Sequence, residues 1–241
     1  MEERKNTNLL PIIIGSCLII SSIIFAVAYY NKGTSNSLSV TGSASVDVVS
    51  DSAKFTGDFS RIAKVSALKY GYDKMASDLE IVKTFLKEQG IDDASIIISN
   101  VSMNENYKYN DNYNAEKEYT LRQQVEVTSS DVEKITKLAQ KTQDIINKGV
   151  IFSTNPVEYY YTKLPELRVS LLSDAIKDAK SRASNMAEAT GQKAGGLKSA
   201  SGGVVQVRSA NSLDISDYGM YDTSKVNKNI MVTVKAAFEL K

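Results

Sequence analysis

The chain has no histidine and a single cysteine, Cys17, in 241 residues. Without histidine there is no Ser-His-Asp or Cys-His nucleophilic site and no histidine-based metal site. The side chain most easily poised to shuttle protons near neutral pH is also missing. A lone cysteine closes no disulfide within the chain, so an ordinary apolar core must hold the fold. An excess of either charge sign is lacking too: 29 Lys and Arg stand against 28 Asp and Glu, a net +1. Nucleic-acid binding needs clustered cations that displace phosphate counterions, so no nucleic-acid partner is expected. Carboxylates, lysines, hydroxyls and tyrosines remain for chemistry. The chain is read as a non-enzyme, with no catalytic residue, no cofactor and no metal.

Residues 9–30 form an uncharged run from Leu9 to Tyr30. About 20 apolar residues at a rise of 1.5 Å each cross a hydrocarbon core of about 30 Å. Arg4 and Lys5 precede the run, and Tyr29 and Tyr30 stand where an interfacial aromatic belt lies. The expected arrangement is a short cytoplasmic tail (1–8), a single-pass cell-membrane anchor (9–30), a linker (31–37) and an extracytoplasmic domain (38–241). Two processing alternatives compete with an uncleaved anchor. Ala26-Val27-Ala28 has the small-x-small form of a signal cleavage site, which gives a protein secreted after cleavage near Ala28. Ile14-Gly15-Ser16-Cys17 faintly resembles a lipoprotein box, but the chain stays apolar beyond Cys17. All three put residues 38–241 outside the cytoplasm.

Alternation of apolar and polar residues predicts strands over 38–48, 53–62, 95–103, 118–128, 150–161, 195–207 and 225–240. Pro156 marks the fifth of these as an edge strand or a bulge. Val65, Leu68, Tyr72, Met75, Leu79, Val82 and Leu86 recur every three or four residues, which predicts a helix ended by Gly90. Lys69, Lys74, Lys83, Lys87, Asp73, Asp78 and Glu80 fall off that stripe. The stripe is expected to cover a sheet face; a coiled-coil seam is the alternative. Ser130-Asp131 caps a helix carrying Val132, Ile135, Leu138 and Ile145. Leu164-Pro165 opens a long helix to Thr190, with Ala175, Ala179, Ala183 and Ala187 forming a ridge for close approach. The order is ββαββ-αβαββ. The fold class is therefore α+β, antiparallel sheet(s) with packed helices, plus one N-terminal transmembrane helix.

Four stretches resemble the SIMPL domain family of bacterial periplasmic and surface proteins, which includes YggE-like oxidative-stress-defence proteins and a periplasmic immunogenic protein. Leu38-Ser-Val-Thr-Gly-Ser-Ala-Ser-Val46 is similar to the family's opening strand. The run from Leu86 through Gly90-Ile91 to Ile96 is similar to its helix-to-strand junction, with Ser95 where an acid is usual. Tyr107-Lys-Tyr109 matches a frequent Tyr-x-Tyr, and Asp174 to Gly191 resembles the alanine-rich helix. The resemblance covers residues 38–241 and implies an envelope protein. Some members are linked to stress resistance, and at least one assembles into a large ring-like oligomer.

The run Asn104 to Tyr119 alternates tyrosines with amides and charges, the chemistry of an adaptable contact surface. Tyr107, Tyr109, Tyr113 and Tyr119 are the candidate partner-contact residues, against the plain reading of a hairpin extension. Asp111, Asn114 and Glu116 lack the spacing and glycine of an EF-hand loop. Asp214, Asp217 and Asp222 offer carboxylates for acid–base work, but on a loop that reads as solvated. Ser201-Gly-Gly203 lacks the lysine and following helix of a phosphate cradle. The expected partners are the membrane, through residues 9–30, and either a second copy in a homo-oligomer or a cell-envelope protein or peptide. The alternative is a monomeric extracytoplasmic ligand- or peptide-binding module.

Overall fold

The computed structural model describes residues 9–33, 36–106, 116–212, 214 and 216–241. Helix α1 (Leu9–Gly33) is followed by β1 (Ser37–Val49) and β2 (Ser52–Lys64), then α2 (Leu68–Glu88). Next come β3 (Ile96–Ile98), β4 (Ser102–Glu105), β5 (Glu118–Ser129), α3 (Val132–Gln140), α4 (Gln143–Asn147), β6 (Phe152–Thr154) and β7 (Glu158–Tyr160). The chain ends with α5 (Leu164–Glu188), β8 (Ala194–Ser209), β9 (Met220–Tyr221) and β10 (Asn227–Leu240). This is the α+β class that the alternation predicts. Two compact units share it: one holds the chain up to Ser43 with Ser173–Gly203 and Thr233–Lys241, the other Ala44–Leu172 with Val204–Val232. β1, α5, β8 and β10 each run from one unit into the other.

The larger unit is built on β2. It pairs antiparallel with β5 along its whole length, from Ala53 opposite Ser129 to Lys64 opposite Glu118. β3 and β4 share the far edge of β5, and β6 and β7 share the far edge of β2. Each of these pairs was expected as one strand. Over 95–103, Ser99 interrupts the ladder: its hydroxyl accepts from the Gln124 N–H, and its carbonyl accepts from the Gln123 amide. Over 150–161, Asn155 makes its bond to the Thr56 carbonyl, and Pro156 then has no N–H to offer. Ala53, Phe55, Phe59, Leu121, Val125 and Val127 point to one face and are fully enclosed beneath α2, α3 and α4. Phe152 stacks on Phe55 with ring centroids 6.5 Å apart, in space that Gly57 leaves by having no side chain.

Helix α2 covers the sheet, although its buried line is rotated from the predicted stripe. Met75, Val82 and Leu86 are buried as expected, whereas Val65 and Tyr72 are exposed and Gly71, Asp78 and Phe85 take the inner positions. A β-carbon at Gly71 would lie 2.7 Å from Ala63 Cβ and 2.9 Å from a Leu121 methyl, so the helix descends on its glycine. The predicted helix after Ser130-Asp131 is two short ones, α3 and α4. The Asp131 carboxylate caps the first by accepting from the Lys134 N–H at 2.9 Å. A second cluster of this unit gathers Leu171, Val207, Ile230 and Val232.

In the smaller unit the alanine ridge does what its spacing suggests. Ala175, Ala179, Ala183 and Ala187 are buried, with Val40, Val234, Ala236 and Phe238. A β-carbon at Gly42 of β1 would lie 2.7 Å from Ala179 Cβ and collide with the α5 backbone. The Ser43 N–H donates to Asp178 Oδ2 at 2.8 Å, and Arg182 holds the same oxygen. The four-stranded sheet has the order β1-β10-β8-β9; its parallel β8–β9 pair, Gln206 opposite Met220 and Val207 opposite Tyr221, belongs to the larger unit.

Candidate functional site

Tyr119 is half-buried on β5, opposite Ala63 of β2 and Glu105 of β4. Tyr107, Tyr109 and Tyr113 lie outside the described residues. The residues that enter β5 are fixed to the turn that leads into α2: Val65 N–H donates to the Lys117 carbonyl at 3.0 Å and Ser66 N–H to Glu116 Oε1 at 2.8 Å. Those bonds hold Glu116 below its ordinary carboxyl range, chiefly through Ser66.

At the same end of the sheet, β2 outruns its neighbour. β6 pairs with β2 only from Gly57 to Phe59, and the Ser60 N–H still donates to the Ile151 carbonyl. Peptide groups alternate sides along a strand, so both groups of Ile62 and the N–H of Lys64 point to the side where no strand follows among the described residues, while the Lys64 carbonyl opens the 3-10 turn Val65–Ala67. The first turns of α2 flank that open edge. Together they enclose a groove of about 380 Å³, walled by Ile62, Lys64, Ala67, Tyr70, Gly71 and Lys74. Ile62 is 66% exposed and Tyr70 63% exposed. Lys74 Nζ stands 5.4 Å from the centre of the Tyr70 ring. Arg61 is already engaged: its guanidinium donates to both oxygens of Asp78 at 2.6 and 2.8 Å and to the Gly149 carbonyl at 2.8 Å. Lys64 and Lys74 make no ion pair among the described residues. The periodic reading missed this groove because a strand edge is not a feature of side-chain alternation.

A tyrosine cluster occupies a different part of the larger unit. Tyr160 and Tyr221 meet at 5.9 Å, and the Tyr161 N–H donates to the Tyr221 hydroxyl. Beside them Lys228 is completely enclosed, its ammonium donating to the carbonyls of Asp222 and Lys225. Burial pushes its pKa below that of an ordinary lysine, and the nearby Asp222 charge opposes this. Lys228 falls on the inward phase of β10 with Ile230 and Val232; that phase, carried back one step, would have located it. On the sheet's open face Lys54 pairs with Glu158 at 2.5 Å, and that bond raises the lysine pKa.

The loop carboxylates are engaged locally. Asp214 accepts from the Ser212 hydroxyl, and Asp222 accepts from the Ser224 N–H, which lowers its pKa. Ser201-Gly-Gly203 lies within β8, and Gly203 admits the Thr233 side chain. Among the described residues no group of three acidic or cysteine side chains is placed to hold a metal.

Fold and site define an α+β module of antiparallel and mixed sheets with packed helices, preceded by one long apolar helix, with an open groove between β2 and α2. The model of the SIMPL family, described as a protein of unknown function (DUF541), matches residues 38–238, and the chain belongs to that family. The comparison with curated proteins finds no match.

Proposed function

We propose that the chain is a single-pass membrane protein whose folded part stands outside the cytoplasm. In this reading it acts by binding and not by catalysis, associating with further copies of itself or with a cell-envelope protein or peptide. The observation that supports this is α1. Its segment Pro11–Tyr30 has a mean hydropathy of 2.5, and none of it is buried against the rest of the protein. Exposed apolar surface costs about 25 cal/mol per Å² in water, and a bilayer removes that cost. A role in envelope or oxidative stress stands on the family resemblance alone.

A cleaved signal sequence has the same composition, so the decisive measurement is the N-terminal sequence of the mature protein, combined with alkaline carbonate extraction of membranes. An intact N-terminus in the membrane pellet is the expected result. A chain beginning just after Ala28 and released to the supernatant would make it a secreted protein. Light scattering of the full chain in neutral detergent then separates a discrete oligomer from a monomer. The monomeric peptide-binding reading draws its support from the groove at Ile62–Lys64.

A further inference from the structure

We propose that the groove between the free edge of β2 and α2 takes an extended, acidic peptide segment of a partner protein. The segment adds to β2 as a short further strand at Ile62–Lys64 and sets its carboxylates against Lys64 and Lys74. This deepens the reading of the chain as a partner-binding protein and does not depend on its anchor.

Three observations fix the chemistry of the occupant. First, β2 continues beyond its last bond to the β6 side, at Ser60, so the N–H and C=O of Ile62 and the N–H of Lys64 face the groove, while the Lys64 carbonyl opens the single 3-10 turn Val65–Ala67. An extended backbone satisfies donors and acceptors alternately, whereas a phosphate or lipid headgroup would leave the Ile62 carbonyl unmatched. Second, cations outnumber carboxylates at the rim: Lys64, Lys74 and Arg61 stand there against Asp78, which Arg61 engages, and Glu116, which accepts from the Ser66 N–H and feels the Lys64 charge. Lys64 and Lys74 have no ion-pair partner among the described residues, and the third cation, Arg61, is engaged by Asp78 and the Gly149 carbonyl. An acidic segment is complementary, and a basic one is repelled. Third, the groove floor is small and apolar. Ala67 and the Gly71 backbone line it without large side chains, and Tyr70 and Ile62 supply exposed apolar walls. Alternate side chains of an added strand would then lie against α2, while the others face solvent beside Ile62.

The test uses the full chain in neutral detergent and fluorescence polarisation of labelled short peptides alternating Glu and Val. Two control peptides replace Glu by Lys, or place Pro where the strand must donate to β2. The acidic peptide is expected to bind. Its affinity should fall about tenfold in the variant Lys64→Glu with Lys74→Glu, because like charges then face each other. A similar loss of about tenfold is expected for the proline peptide, which lacks the N–H. Both lysines are exposed, so the variant's thermal melt should match that of the parent protein. Three outcomes would overturn the proposal: no binding, equal binding of the lysine peptide, or indifference to proline. Binding of dihexanoyl phosphatidylglycerol without binding of the peptides would assign the groove to acidic lipid instead. Failure here leaves the carbonate extraction untouched, and a failure there leaves the groove untouched.

Discussion

Asp78 lies on the inner side of α2, 2% exposed, and its two carboxylate oxygens receive a fork of hydrogen bonds from Arg61. A planar guanidinium matches a carboxylate in this way, and the bond to the Gly149 carbonyl ties the same side chain to the segment entering β6. Removing one partner leaves the other charge without its match, at a cost below the full buried-pair value because Arg61 keeps some contact with water. Asp78→Asn is therefore expected to destabilise the protein by about 2 kcal/mol, read as a lower urea midpoint with unchanged slope. An unchanged midpoint would show the pair to be dispensable. The three-and-four spacing puts Asp78 off the apolar stripe of the helix. Spacing alone does not reveal a buried arginine on the strand below.

Among the elements, β1 and α5 meet through small residues. The alanine ridge of α5 and Gly42 of β1 are both legible in the sequence, but only the fold shows that one rests on the other. A methyl at position 42 has no space, since the neighbouring atoms belong to helix backbone and cannot rotate away. Gly42→Ala should cost about 2 kcal/mol, with a lower melting temperature in differential scanning calorimetry. Ser43→Ala, which keeps the backbone N–H to Asp178, should cost far less. The split strands carry the same lesson: alternation over 95–103 and 150–161 locates β-structure correctly, while Ser99 and Pro156 decide where each ladder breaks.

For the whole molecule, the acid side of the stability curve draws on three carboxylates held low, Glu116, Asp178 and Asp222. Asp178 is lowered first by the Ser43 N–H and Asp222 first by the Ser224 N–H. A carboxyl whose folded pKa lies below its unfolded value, near 3.9, contributes stability that is present above that value. That contribution is lost as pH falls through the folded pKa. The melting temperature should therefore decline below about pH 4, and Asp178→Asn with Asp222→Asn should flatten the decline. An unaltered acid limb in that variant would assign acid sensitivity to other groups.

The sequence by itself determined the apolar N-terminal run, the α+β class, the family and nearly every element, because periods of 2 and 3.6 and the residues at element ends are local properties. It also showed tyrosines near one hairpin, of which the described fold places Tyr119 on β5. Tertiary structure alone decided that α2 turns Gly71 and Asp78 inward, and that β2 outlasts its neighbour to leave an open edge beside Lys64 and Lys74. Each of these depends on which strand or loop lies opposite, a relation between residues far apart in the chain that no local period encodes.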